Sequence, residues 1–364
     1  MVTRRELLWG GAAAMLLPIM PAARAAALKP VKCIIPIPNF DESFAPFAVA
    51  KYVGYFKEEG LDVTFITVRG SGEAAIQVSA GNADVAAASP VDEVIGLQPG
   101  KDLDVKYFYD LYYRNIWSIS VPPGSPIHSV AELKGKKLGV IGMGSAGVAF
   151  GRAYLNAAGL DPAHDVTFIA VGVGAQAINA VRQNFVDALV YPENLLNKIK
   201  VLGLAMVPLP VNEKLANLPD TGLFSRRETI RDHPQILIGV ARAVDKGYYF
   251  NMANPAAAVK ITWKLYPEAE PKNMPPDKAL AGGIFVNQER MKIWRSPKTG
   301  PGQDGMFLAP QWRDFIEFML QQKLLAQPVP LDRIYTNALI PEINKFDRDK
   351  VRAEAKSFDI SRLE

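Results

Sequence analysis

Gly142-Met143-Gly144-Ser145-Ala146-Gly147 spells G-x-G-x-x-G, set between an apolar run, Lys137 to Ile141, and a helical pattern closed by Gly159. Glycines at such a strand-to-helix turn are what a dinucleotide's pyrophosphate requires. That chemistry also needs an acidic residue about twenty positions on, at the end of the following strand, to hold ribose hydroxyls. Here the following strand, Val166 to Val171, ends in Gly172-Val173-Gly174, and Asp161 and Asp165 lie before it. The dinucleotide reading fails, and no cofactor is assigned. What survives is a helix start near Ser145, with unpaired backbone N–H groups and a positive dipole end. Gly144 would let a ligand approach the backbone, and the Ser145 hydroxyl adds a donor, making a cradle for an anion or a carbonyl oxygen. A tight turn with close helix packing is the other reading, and the residues alone weight the two equally.

Other reactive side chains are few. Cys33 is the only cysteine, so no intrachain disulfide forms; in VKCIIPI it alternates on a strand as a small buried hydrophobe. His128, His164 and His233 are scattered without the spacing of a ligand pair, so neither a metal site nor a catalytic residue is assigned. A formal charge of +4 without a basic run excludes nucleic acid as a partner. Hydrophobic residues at 49% and charged residues at 21% describe an ordinary globular chain, and 364 residues suffice for two domains.

The elements that must position this chemistry begin after a leader. Arg4-Arg5 precede an apolar segment, Leu7 to Met20, and Ala23-Arg24-Ala25 supplies an A-x-A cleavage signal. Residues 1–25 read as a secretory signal peptide cleaved near Ala25, and the paired arginines favour the twin-arginine route. The apolar run is too short for a membrane span and is broken by Pro18. Losing Arg4, Arg5, Glu6 and Arg24 takes the formal charge from +4 to +2. Beyond the leader, Pro30 to Ile37 reads as a strand, a helix follows from Ser43 to Gly60, and Leu61 to Val68 is a second strand. Gly70-Ser71-Gly72 turns into a helix, Ala83 to Ala88 is a short buried strand, and Ser89-Pro90 starts another helix. Asp104 to Val121 reads as one long β-rich run broken at Pro122-Pro123-Gly124. A second α/β run follows, with strands at 137–141, 166–171 and 186–190 and helices at 146–158, 174–184 and 192–199. The last third is mainly helical. Two α/β units of this kind place ligand sites at the carboxyl ends of their strands and in the cleft between them.

Several segments resemble the exported solute-binding proteins of ABC importers, in the branch serving nitrate, aliphatic sulfonates, taurine and the thiamine-precursor pyrimidine. They are Ala45 to Lys51, Gly54 to Val63, Gly70-Ser71-Gly72-Glu73, Ala80 to Val85, Gly124 to Ile127, Glu132 to Val140, Gly144-Ser145, Val186 to Tyr191 and Tyr335 to Pro341. The resemblance implies an α/β, two-lobed periplasmic binding protein type II fold, each lobe a mixed sheet flanked by helices and joined by hinge strands. Lobe one would be 26–118 plus 222–364, and lobe two 119–221. It further implies a monomer in the periplasm that closes on a small-molecule ligand and is recognised by ABC permease subunits in the inner membrane. Carried onto this sequence, the ligand-binding positions are Asn39, Phe40 and Asp41; Gly70, Ser71 and Gly72; Ser89 and Pro90; Ser118; Gly144, Ser145 and Ala146; and Gly174, Tyr191 and Glu193. Phe40 and Tyr191 would stack on a planar or apolar body.

An anion would also want an arginine, for which Arg69 and Arg114 are the candidates. Asp41 and Glu193 ask instead for a ligand with amino or ring N–H groups, because a buried carboxylate needs a donor. The leading expectation is a small organic anion, a sulfonate or carboxylate, bound without catalysis. A sensor subunit with the same pocket is one alternative. Enzymes on the same fold are another, but Cys33 has no histidine near it in sequence to activate it.

Overall fold

The computed structural model describes residues 27–101, 103–211 and 213–363, so the leader expected over 1–25 lies outside the described residues. The aromatic run Asp104 to Val121, expected as one long β-rich run, is divided between two sheets. The first sheet holds β1 (Lys29–Ile35), β2 (Leu61–Thr67), β3 (Val85–Ala88) and β4 (Lys106–Asp110). The chain then crosses, and β5 (Trp117–Val121) opens the second sheet, followed by β6 (Lys136–Val140), β7 (Val166–Ala170), β8 (Ala188–Pro192) and β9 (Val207–Pro208). Finally β10 (Gly222–Ser225) returns to the first sheet. Residues 111–116 make the crossing, and they are tied to the returning chain: Leu111 and Tyr112 both donate to the Thr221 carbonyl, at 3.0 and 2.9 Å. Strand propensity is alike on either side of the crossing, so composition alone does not reveal the break.

Both sheets follow one plan, β2-β1-β3-β10-β4 and β7-β6-β8-β5-β9. Three parallel strands are followed by an antiparallel strand, and that strand is the one that has just crossed from the other sheet. β3 (VAAA) and β8 (ALVYP) lie inside their sheets and are buried at every residue, whereas β1 is buried only at its inner positions. The expected strand 186–190 sits two residues later, because the Asp187 carboxylate and N–H pair with Lys137 (2.8 Å each) ahead of the ladder.

The helices that matter to the site are α1 (Ala45–Val53), α2 (Ser71–Ser79), α3 (Pro90–Gly96), α4 (Ala146–Ala157), α5 (Ala175–Arg182), α6 (Glu193–Val201), α7 (Pro234–Ala253), α8 (Pro255–Leu265) and α9 (Pro276–Met291). Helix α4 lies hard against its sheet: a Cβ on Gly147 would meet Trp117 and the Val190 carbonyl at 2.8 Å, and one on Gly151 would meet Phe168 at 2.9 Å. The last glycine of the G-x-G-x-x-G therefore serves helix packing. Among the described residues no helix is long and apolar enough to cross a membrane.

Candidate functional site

The turns leaving the carboxyl ends of β1, β2, β3, β6 and β8 meet where the two lobes face each other. Gly70 and Ser71 (start of α2), Ser89 (before α3), Ser145 and Ala146 (start of α4) and Asn194 (start of α6) line one central cavity. Four helix N-termini converge there, each with orphan N–H groups and a positive dipole end. Pro36, Ile37, Phe44, Tyr112, Ile116, Trp117, Ile141, Pro192, Thr221 and Arg290 complete the wall. The space left there is small, ≈ 30 Å³ in which the centre of a water molecule can sit. A second opening of ≈ 250 Å³ by the same measure adjoins it, bordered by Asn39, Asp41, Gly174 and Lys198.

The lobes touch along a seam that is partly polar. Asn194 Nδ2 donates across it to Ser43 Oγ at 3.0 Å and to Asp41 Oδ2 at 3.4 Å. Trp117 Nε1 donates to Ser89 Oγ at 3.1 Å, and that hydroxyl in turn donates to Asp220 Oδ1 at 2.6 Å. Lys198 Nζ stands 3.4 Å from Glu42 Oε2, while Trp263 Nε1 holds the other Glu42 oxygen at 2.6 Å. At Gly70 the approach is backbone to backbone, since a Cβ there would lie 2.4 Å from the Gly144 carbonyl oxygen.

Arg290, on α9, is 1% exposed. Its Nε lies 2.7 Å from Glu193 Oε1 across the cleft, and its guanidinium covers the Tyr112 ring at 4.2 Å. The close approach is not aligned as a hydrogen bond. Arg290 Nε and Nη1 and both Glu193 oxygens thus lack a hydrogen-bond partner among the described residues. Burial opposes the Arg290 charge, but Glu193, Tyr112, Asp41 and Asp220 outweigh it and keep the group protonated. Glu193 leaves 29% of its side chain exposed while both oxygens are shielded from solvent; burial pushes its carboxyl up to about 7, against the pull of Arg290. Asp220 is raised to about 6 by burial, offset by hydrogen bonds from Ser89 and Thr221.

The profile of the NMT1/THI5 like family matches residues 41–258. The chain belongs to that family. A riboflavin-binding protein of Chloroflexus aurantiacus, RibY, is 26% identical over 306 residues, which is 84% of either chain. Two solved structures share the two-lobed periplasmic-binding-protein fold. The nitrate-binding protein NrtA of Synechocystis PCC 6803 is 14% identical with a TM-score of 0.65, over 91% of this chain and 99% of that one. The alkanesulfonate-binding protein SsuA of Xanthomonas axonopodis pv. citri is 16% identical with a TM-score of 0.63, over 86% and 99%.

Within this family fold the expected site residues divide into groups. Gly70, Ser71, Ser89, Ser145 and Ala146 line the central cavity, and Asn39, Asp41 and Gly174 line the adjoining one. Glu193 faces Arg290, and Gly144 forms the seam with Gly70. Gly72 lies beside Asp92, and Pro90 is buried behind Ser89. Three of the expected residues face elsewhere. Phe40 is fully buried and stacked on Tyr266, centroids 4.1 Å apart, so its face is not offered to a ligand; Phe44 lines the cavity instead. Tyr191 is buried in β8 and its hydroxyl donates to the Gly172 carbonyl. Ser118 Oγ pairs with Ser120 Oγ at 3.0 Å. Arg69 and Arg114 are exposed, and the arginine of the cleft is Arg290. Tyr112, Trp117, Asn194, Thr221 and Arg290 went unnoticed in the sequence. For Arg290 a signal existed: it continues the buried stripe Ala279, Gly283, Val286, Asn287 of α9, where a charged residue is anomalous.

Proposed function

We propose that this chain is the exported solute-binding component of an ABC importer, capturing a small organic anion between its lobes. Arg290 carries the reading. A fully buried guanidinium on the cleft wall, with Nη1 unpartnered among the described residues, calls for an anionic oxygen. The N-terminal ends of α2, α3, α4 and α6 favour the same charge. Both Glu193 oxygens and Asp220 Oδ2 also lack donors, so the ligand bears a hydroxyl or N–H close to its acid group: a hydroxy or amino carboxylate or sulfonate. The lobes, expected as 26–118 plus 222–364 and 119–221 but with Trp117 and Ser118 already in the second sheet, would hinge about the crossing segments and present the closed form to permease subunits of the inner membrane. The protein would work as a periplasmic monomer.

An enzymatic role through Cys33 is disfavoured on physical grounds. The thiol is fully buried, and burial together with Asp84 raises its pKa, which suppresses the thiolate.

A thermal-shift screen of mature protein against sulfonates, hydroxy and amino carboxylates, nitrate, pyrimidines and riboflavin tests the reading. A binder at a hundredfold its Kd adds about 2.7 kcal/mol to the folded state. An acid bearing a neighbouring donor should raise the melting temperature in a saturable way. A response confined to neutral compounds, or one unchanged in Arg290→Met, would sink it.

A further inference from the structure

We propose that the protein captures its anion together with one proton, and that Glu193 holds that proton. The inference rests on the anionic reading of the cleft given above. Four groups surround the pair of Glu193 and Arg290 or belong to its field: Tyr112 from the crossing segment, Asp220 from the returning segment, Asp41 from the turn after β1, and Arg290 itself from α9. Three carboxyls thus share one guanidinium. Lys198, on the same helix as Glu193, stands instead 3.4 Å from Glu42.

The three carboxyls are not equally supported. The Ser43 N–H and Asn194 Nδ2 donate to Asp41 at 3.0 and 3.4 Å. Ser89 Oγ and Thr221 Oγ1 donate to Asp220 at 2.6 and 2.8 Å. Glu193 has no such donor among the described residues, and its charge is balanced by Arg290 at 2.7 Å. An acid in the central cavity draws on that same guanidinium, because Arg290 lines the cavity. Pro192 and Asn194, on either side of Glu193, line it too, as does Ser89, the donor to Asp220. The bound acid adds a fourth negative charge beside one positive charge, where little room is left for water. A like charge favours the protonated form of a carboxyl, and Glu193, lacking donors, protonates first. Burial already brings its carboxyl up to about 7, so a further rise spans neutral pH. The liganded protein then binds more protons than the free protein. Affinity is therefore full below about pH 7 and falls as pH rises through it.

The test is calorimetry of mature protein with isethionate, a hydroxy sulfonate that stays ionised across the range used. At about pH 8 the titration is run in Tris and in triethanolamine, whose heats of ionisation differ and which supply no competing acid. The difference in heat should correspond to an uptake of about half to one proton per isethionate bound. Binding should be about tenfold or more weaker at about pH 8.5 than at about pH 6. Glu193→Gln carries the neutral form at every pH. It should bind isethionate at the higher pH as tightly as the parent does at the lower, and take up no proton. Binding without proton uptake, proton release, or a pH dependence retained by a folded Glu193→Gln would each overturn the proposal while leaving the anionic reading in place. Isethionate that gives neither heat nor a melting shift at any of these pH values would count against the anionic reading, and the proton would fall with it. The two-buffer comparison is made on unaltered protein, so it decides the matter even if the variant misfolds.

Discussion

Replacing Gly70 by alanine should uncouple folding from closure. Gly70 has φ +151° and ψ 173°, a region that essentially only glycine occupies, so any side chain there costs roughly 1–3 kcal/mol whether the lobes are open or closed. The larger effect concerns the closed form alone. An added Cβ would stand 2.4 Å from the Gly144 carbonyl oxygen, 2.8 Å from Ser145 Cα and 2.9 Å from Gly144 C. All three are backbone atoms of the opposite lobe and cannot rotate away. Restoring ordinary contact, at 3.4 Å or more, parts the lobes at that point by about 1 Å. Separation on that scale would disrupt the Asn194 bonds to Ser43 and Asp41 and the Trp117 bond to Ser89, each worth about 1 kcal/mol net. A loss of about 3 kcal/mol from closure corresponds to a drop in affinity of roughly a hundredfold. The assay is isothermal titration with the ligand found by screening, together with distance measurement between spin labels on the two lobes. Gly144→Ala supplies the internal control, because a Cβ there meets nothing within 4 Å and the residue lacks a positive φ. If Gly70→Ala binds and closes like the parent, or if Gly144→Ala is equally impaired, the reasoning about the seam is refuted.

Arg290→Met should weaken binding of an anionic ligand by about a hundredfold or more, since it removes the buried partner, Nη1 included, that the ligand's acid group would pair with, a truncation that costs about 2–5 kcal/mol; calorimetry of a charged ligand and its neutral amide would show the loss confined to the acid. Glu193 keeps its proton up to about 7 in the folded state, against 4.5 as the ordinary value. Its contribution to stability is therefore complete below about pH 4.5 and disappears as pH rises through about 7. Relative to Glu193→Gln, whose amide does not titrate, the parent should lose about 3 kcal/mol between those limits in urea unfolding; a pH-independent difference would contradict the raised pKa. Asn194→Ala removes the bonds to Asp41 and Ser43 that cross the seam. It should cost about thirtyfold in affinity with little change in the unliganded melting temperature, and a large fall in that temperature would mean that the residue serves folding instead.

The turns at strand ends were legible because each lies between two short-range patterns, an apolar strand and a capped helix. Ser145 shows this well: it caps α4, its Oγ accepting from the Gly147 N–H at 3.2 Å, and it lines the cavity. The local sequence does not place the Phe40 ring, because the partner that occupies it, Tyr266, lies far along the chain. Tyr112, Trp117 and Thr221 escaped notice because they belong to the segments that pass between lobes, and the run from Asp104 to Val121 looks continuous until the sheets are known. Arg290 reaches the cleft from a helix with no local motif, so its position follows only from how α9 packs on α6.

The polar seam also bears on selectivity. Hydrogen bonds such as that from Asn194 to Ser43 contribute only about 1 kcal/mol each, so they hold the lobes together weakly. Against them stand buried groups, the Glu193 oxygens, Asp220 Oδ2 and Arg290 Nη1, each costing about 1–3 kcal/mol while it lacks a partner. A compound that answers Arg290 but carries no donor leaves the carboxyls unmatched, and one that answers the carboxyls alone leaves the guanidinium unmatched. A ligand supplying both restores the balance, and a ligand shifts an equilibrium only by its differential affinity for the two states. Under the proposed function, discrimination in this cleft would rest on what closure strands, more than on what an open lobe can attract. It follows that an acid stripped of its neighbouring hydroxyl or amine should still contact the open protein, yet fail to bring the spin-labelled lobes together.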